Sequence, residues 1–281
     1  MAIISKDSVW VQPQSYFGIL QSHIKALKMD TGTLSAMIDT WSKIESGTEV
    51  TKLDPNANKI SLSNGKEFSY KALVLGAGFD HSCENIEGLA EFDQGHDDNN
   101  VFVHQLDSKA RLERNFYNGF MHRGGDYLNY SPAVPYKGEG TDFYSLYYES
   151  LLRQDKLIGA AAAGSKVQYW SPNKFIYAFP YANEVALEEC DKRGVEVNLG
   201  WELLSVRQDA HTKVATFKNV DTGEKIERDF VGANVNPPSK QHKFILDSGI
   251  CDNTGMVDVN RYTLQHNKFE NIFAIGDCIS G

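Results

Sequence analysis

The sequence predicts an α/β fold with antiparallel excursions, and three observations carry it. Short continuous apolar runs, Ala72-Leu73-Val74-Leu75 and Ile272-Phe273-Ala274-Ile275, stop at glycines, as the buried strands of a parallel sheet do. Stretches with helical spacing alternate with such runs along the chain. Two regions of apolar–polar alternation, 47–70 and 201–235, carry the hairpin signals Asn64-Gly65 and Asp221-Thr222-Gly223.

Each element follows in chain order. Phe17, Ile19, Leu20, Ile24 and Leu27 fall on one face of a helix over 17–28. Residues 47–53 and 59–62 alternate around the turn Asp54-Pro55-Asn56, and with Asn64-Gly65 they make 47–70 a β-meander. The run 72–75 predicts a strand buried on both faces. Gly95-His96-Asp97-Asp98-Asn99-Asn100 is a polar loop suited to a domain crossover. Val101-Phe102-Val103 begins a strand and 107–120 a helix. Leu128-Asn129-Tyr130 is extended, and Pro132 and Pro135 then turn the chain. A helix over 141–153 precedes the strand Val167–Trp170. Tyr181–Arg193 spaces its residues as a helix, with Gly194 as its C-cap, and Val195-Glu196-Val197 is the strand behind it. Residues 201–220 and 224–235 alternate on either side of 221–223. The last strand, Ile272–Ile275, runs into Gly276-Asp277.

Composition sets the outer limits. In 281 residues, 41% are hydrophobic and 23% charged, with a mean hydropathy of −0.40, which is a globular balance and excludes a mostly disordered chain. A formal charge of −9 with no cationic cluster excludes nonspecific nucleic-acid binding. No run of eighteen apolar residues exists to span a bilayer, and attachment to a membrane surface stays open. The four cysteines, Cys83, Cys190, Cys251 and Cys278, show no CxxC spacing, so neither a zinc ribbon nor a thioredoxin-type pair is expected. They read as free thiols. No metal site is predicted, and His96, His104 and His266 belong to no ligand motif. The first residues show neither an apolar nor an Arg-rich leader.

The chemistry points to two strand ends. Leu75-Gly76-Ala77-Gly78 and Ile275-Gly276-Asp277 put glycine where open α/β sheets bind their ligands, beyond the carboxyl ends of strands. Glycine lets a ligand approach the backbone. A carboxylate after such a glycine accepts hydrogen bonds from sugar or ribityl hydroxyls, so a nucleotide or a flavin suits the pattern. Turns with no ligand remain the alternative at this level.

A resemblance narrows the choice. Val257-Asp258-Val259-Asn260, Thr263-Leu264-Gln265-His266 and Asn271-Ile272-Phe273-Ala274-Ile275-Gly276-Asp277-Cys278 together resemble the C-terminal flavin motif of flavoproteins with two dinucleotide-binding domains. Among them the pattern is similar to the mitochondrial-type sulfide:quinone oxidoreductases, with Thr-Leu-Gln-His before the strand and Cys after Gly-Asp. Ser69–Gly78 is similar to that family's strand ending in Ala-Thr-Gly, Ile86-Glu87-Gly88-Leu89 follows it, and Asn236-Pro237-Pro238 is similar to its Thr-Pro-Pro crossover. The similarity runs from about residue 45 to 281.

The resemblance implies two Rossmann-like domains with inserted antiparallel β-meanders. The flavin domain would be discontinuous and incomplete, 1–98 plus 236–281, with a second domain, 99–235, inserted. It implies FAD as cofactor and transfer of two electrons from sulfide to quinone, at the surface of the mitochondrial inner membrane. Gly276 and Asp277 would then contact the ribityl–pyrophosphate part of FAD, Gly76, Ala77 and Gly78 would line its other side, and the backbone of Val50 would hold the adenine.

Three departures from the family pattern bear on activity. No GxGxxG occurs, the residues begin about a hundred positions into the pattern, and the helix start that holds the pyrophosphate is not among them. They are therefore expected to retain FAD weakly on their own. The chain given stops three residues after Cys278. Finally, Pro135-Tyr136-Lys137-Gly138-Glu139-Gly140 is similar to the family's Pro-x-Lys-Cys-x-Gly, so Gly138 stands where the first redox cysteine belongs. In the family, sulfide attacks a cysteine pair and the released thiolate donates to the flavin, so no catalytic residue is assigned here. That leaves a second expectation, a non-catalytic relative serving as a structural or binding subunit. Ser171-Pro172-Asn173, rather than a glycine loop, follows the strand 167–170, so NAD(P)H binding is not expected.

Overall fold

A computed structural model describes residues 2–5, 9–11, 28–30, 43–93, 101–103, 125–135, 165–209 and 212–279. The chain divides into two compact units. One comprises Met1–Ser15, Ala26–Asp80 and Lys240–Gly281, and the other Tyr16–Lys25 and His81–Ser239.

The first unit joins segments two hundred residues apart. Strand Leu73–Leu75 lies parallel to Ile272–Ala274, with Leu73 opposite Ile272 and Leu75 opposite Ala274. The predicted meander is present as Val50–Asp54, Lys59–Leu62 and Glu67–Ser69, all antiparallel. Its turns follow their residues. Asp54 Oδ1 accepts the amides of Asn56 and Ala57, and Gly65 adopts φ 82° in the hairpin that Asn64 opens. Leu53, Ile60, Leu75, Ile245, Ile250, Val257, Ile272, Ala274 and Cys278 share one core.

The run 72–75 departs from expectation. Leu75 is buried, but Val74 is 63% exposed, so only one face of this strand is covered. The core lies on the Leu75 side, and side chains alternate across a strand, so an apolar run does not by itself give two buried faces.

The second unit holds a five-stranded parallel sheet. Its spatial order is Val101–Val103, Gly232–Val235, Asp126–Tyr130, Lys166–Ser171 and Glu196–Leu199. One face packs on an antiparallel meander, Trp201–Asp209, Thr212–Asn219 and Lys225–Phe230. There Leu128, Tyr130, Trp170, Ala233 and Val235 meet Leu203, Val206, Ala215, Phe217 and Phe230. The Trp170 and Phe217 rings stack at 4.0 Å. After the meander the chain re-enters the sheet as Gly232–Val235, between the first and second strands.

Helix Pro180–Arg193 forms as expected, with proline in its first turn. Gly194 ends it at φ 75°, its amide returning to the carbonyls of Cys190 and Asp191. The stretch 201–220, read as one alternating segment, is two antiparallel strands with Asp209 opposite Thr212; residues 210–211 lie outside the described residues. Asp209-Ala210-His211-Thr212 holds no glycine or proline to announce the break. The short helix Leu89–Asp93 is an addition. The expected helices over 107–120 and 141–153 and the loop 95–100 lie outside the described residues. So does 17–28, except that Lys28 begins the strand Lys28–Asp30.

Candidate functional site

The paired strands bring the two glycine turns together. The Ile275 amide donates to the Leu75 carbonyl at 2.9 Å, which extends the parallel ladder one step past Ala274. Gly76 and Gly276 therefore leave the sheet side by side. Gly276 adopts φ 73° and opens a single tight turn, Gly276–Cys278; Gly78 adopts φ 65°. A side-chain carbon added at Gly78 or Gly276 would meet nothing within 4 Å, and one added at Gly76 would make only an ordinary 3.6 Å contact with Ile275. Packing does not demand these glycines. Two of them are required by backbone conformation, and together they leave bare main chain open to solvent.

Gly76, Ala77, Gly276 and Asp277 are all exposed. Asp277 makes no hydrogen bond or ion pair among the described residues. Val50 stands apart from the turns, at the first position of the meander, half-buried against the same core. Gly138 lies outside the described residues.

Two residues that the sequence reading missed hold both turns. Gln241 is 7% exposed; its Nε2 donates to the Cys278 carbonyl at 3.1 Å and its Oε1 accepts the His242 amide at 3.0 Å. The His242 ring places Nε2 2.9 Å from the Ala77 carbonyl and Nδ1 3.2 Å from Asp80 Oδ2. The one available signal was a polar pair between the Asn236-Pro237-Pro238 crossover and the apolar helix Lys243–Leu246.

The thiols near this site are not activated. Cys278 is fully buried, with Sγ 3.3 Å from the Ile275 carbonyl, and burial raises its pKa. Cys251 is raised too, first by burial and then by Asp252. Both are held further from the nucleophilic thiolate than a free cysteine. His266 is structural. Its Nδ1 accepts the amides of Lys268 and Phe269, so Nε2 carries the hydrogen that reaches the Ile250 carbonyl at 3.0 Å. Among the described residues no cluster of His, Cys, Asp and Glu could hold a metal ion, and no helix is long and apolar enough to cross a membrane.

The mitochondrial sulfide:quinone oxidoreductase of Mus musculus is 30% identical over 248 residues, covering 85% of this chain and 52% of its own length. That of Schizosaccharomyces pombe is 28% identical over 232 residues, 82% of this chain and 49% of its own. The chain is similar to mitochondrial sulfide:quinone oxidoreductases. It spans about half the length of these curated relatives.

Among solved structures, a chain of the Tetrahymena thermophila mitochondrial ATP synthase F1Fo composite tetramer matches with a TM-score of 0.83 and 25% identity, over 99% of this chain and 66% of that one. The sulfide:quinone oxidoreductase of Aquifex aeolicus matches with a TM-score of 0.76 and 14% identity, over 99% of this chain and 62% of that one. No family model matches. The resemblance to sulfide:quinone oxidoreductases read from the motifs is borne out, and the fold is that of the FAD/NAD(P)-binding oxidoreductases.

Proposed function

We propose that this chain belongs to a flavin oxidoreductase of the sulfide:quinone type, with FAD held across the turns Gly76-Ala77-Gly78 and Gly276-Asp277. One observation carries the proposal. Two exposed glycine turns leave adjacent parallel strands side by side, and the exposed Asp277 carboxylate has no partner among the described residues. These residues fit the cofactor. The bare main chain at Gly76 and Gly276 admits a flat ring and a phosphate ester closely, and Asp277 accepts from ribityl hydroxyls. The Val50 backbone serves the adenine.

Bound there, FAD supplies a carrier for two electrons between sulfide and quinone. The chain's residues orient it. No nucleophile is assigned, because Gly138 occupies the expected cysteine position and neither Cys251 nor Cys278 is activated. The mitochondrial origin of the relatives supports a mitochondrial location, and the reading puts the protein at the surface of the inner membrane. The absence of a glycine loop after Lys166–Ser171 argues against NAD(P)H as a donor. Titrating the purified chain with FAD and following quenching of flavin fluorescence tests the proposal: saturable binding supports it, and its absence in a chain extended at both ends removes it.

A second reading is favoured by a specific observation. The ATP synthase chain matches over 99% of this chain at a TM-score of 0.83, and Gly138 removes the expected chemistry. In this reading the flavoprotein fold serves as a non-catalytic subunit of a mitochondrial assembly. Native electrophoresis of mitochondrial membranes separates the two: co-migration with a megadalton complex supports the subunit, and a free, sulfide-reducible flavoprotein supports the enzyme.

A further inference from the structure

Residues 175–183, Phe-Ile-Tyr-Ala-Phe-Pro-Tyr-Ala-Asn, hold no charge and lead from the strand Lys166–Ser171 into the helix Pro180–Arg193. Among the described residues four aromatic side chains are exposed, and three of them, Tyr177, Phe179 and Tyr181, stand here within five positions. Phe179 is 78% exposed and Tyr181 80%. A cluster of large rings left in water marks a surface that another molecule covers.

The run is held in one shape. Ile176 is buried and anchors it. Asn183 Oδ1 accepts the amides of Ile176 at 2.8 Å and Tyr177 at 3.3 Å, and the Asn183 amide donates to the Phe179 carbonyl at 2.9 Å. Pro180 fixes the backbone where the helix begins. Rings presented on a fixed backbone lose little freedom when they are bound.

The helix extends this surface and gives it a sign. Tyr181, Glu184, Val185 and Glu188 follow the spacing of one helix face, and all four are exposed. Glu184 has no ion pair among the described residues. The helix's cations, Lys192 and Arg193, lie in its last turn and are engaged by Glu188 and Glu189. Lys174, ahead of the run, is paired with Asp221. The aromatic surface is thus bordered by carboxylates. An anionic membrane repels them. A second copy docked about a two-fold axis brings the same acidic border to both sides of the contact. A cationic protein surface complements it.

We propose that Tyr177, Phe179 and Tyr181, with the helix face of Glu184, Val185 and Glu188, form a docking surface for another protein chain, one that offers an apolar cleft bordered by lysine or arginine. The proposal deepens the subunit reading above and rests on it for its setting, a mitochondrial assembly. The buried rings supply affinity at the centre of the contact, and the carboxylates at its rim orient the partner.

The test uses the complete protein, tagged, in the mitochondria of its own cells. Phe179→Ser with Tyr181→Ser removes the anchors, and Glu184→Lys with Glu188→Lys reverses the border. All four side chains are exposed, so urea midpoints should stay close to wild type. Tyr262→Ser, which removes an exposed ring of the first unit, is the control. In native electrophoresis the fraction of each double variant migrating with the large complex should fall about tenfold or more, while Tyr262→Ser matches wild type. Phe179→p-benzoylphenylalanine, a photo-crosslinker, should join a separate chain at a peptide that combines apolar residues with lysine or arginine. This reading does not depend on how the double variants fold.

If wild type migrates with the complex and both double variants do so equally, the subunit reading stands and the docking surface falls. If wild type migrates alone yet cross-links to a basic, apolar peptide of another chain, the docking surface stands and the subunit reading falls. If it migrates alone and joins no other chain, both fall. Loss of the aromatic variant alone shows that the border is not cationic and overturns the proposal. So does cross-linking to lipid, to a second copy or within the same chain.

Discussion

Asp277 carries nothing for the fold and, in the proposed site, much for the ligand. It is exposed and unbonded among the described residues, so Asp277→Ala should leave the denaturation midpoint within about 0.5 kcal/mol of wild type. The same change should weaken FAD by about 1.5–3 kcal/mol, the size of a hydrogen bond to a charged group. Paired urea and flavin titrations check both halves. Equal retention of flavin would count against the assignment. Glycine substitutions separate conformation from space in the same way. At Gly276 the conformation alone resists a side chain, and Gly276→Ala should cost about 1 kcal/mol of stability. At Gly88, φ is 79° and an added carbon would collide with the Val206 carbonyl, which is main chain and cannot step aside. Gly88→Ala should therefore cost roughly 3 kcal/mol or more, a difference that thermal unfolding resolves. Burial holds Cys251 and Cys278 above the ordinary thiol range. Thiolate is the reactive form, so at about pH 7.5 both should alkylate more slowly than a free thiol and accelerate as pH rises. Mass-spectrometric labelling kinetics read this directly.

At the scale of elements, the parallel sheet of the second unit has a polar face that an α/β core does not normally carry. Asn129, Ser131, Asn234 and Asn236 are all at most 1% exposed, on adjoining strands in register or one step beyond them. Both side-chain polar atoms of Asn129 and of Asn236 are buried without a partner, as are the Ser131 hydroxyl and the Asn234 amide nitrogen. Replacing such a group by an apolar one of similar shape is neutral or stabilising. Asn129→Leu should raise stability by about 1 kcal/mol, measured by urea unfolding. A loss of similar size would show that the amide is satisfied in solution. None of this was legible in the sequence, where Leu128-Asn129-Tyr130 reads only as extended chain. What was legible was local. Asn64-Gly65 fixed a hairpin, Gly194 capped a helix, and the glycines after Leu75 and Ile275 marked strand ends. The break between the strands Trp201–Asp209 and Thr212–Asn219 escaped because no turn residue marks it. The exposure of Val74 escaped because an apolar run says nothing of which face a core covers. Gln241 and His242 escaped because their partners, Cys278 and Ala77, are set by tertiary structure, Ala77 being 165 residues away.

For the whole molecule, the decisive question is whether this fold still performs the chemistry of the relatives it resembles. The scaffold and the strand-end turns are compatible with flavin, but the resemblance of 135–140 to the family's cysteine loop puts Gly138 where the first redox cysteine is expected. Glycine has no side chain to attack or be attacked, and the two thiols of the first unit, Cys278 buried and Cys251 half-buried, are poorly ionised. Covalent catalysis that loses its nucleophile falls by roughly a thousandfold or more, leaving what binding and positioning supply. In a chain extended at both ends and loaded with FAD, reduction by sulfide should therefore be slow in stopped flow, while reduction by dithionite, which needs no protein thiol, stays fast. Gly138→Cys should recover part of the sulfide rate if a second cysteine is available to form the pair, and none otherwise. Millisecond reduction of the wild-type flavin by sulfide would show that another thiol serves. Cys83→Ser and Cys251→Ser would then be the first variants to make. If both remained fast, the correspondence of 135–140 with the family's cysteine loop would be wrong, and the case for a non-catalytic subunit would lose its chemical basis.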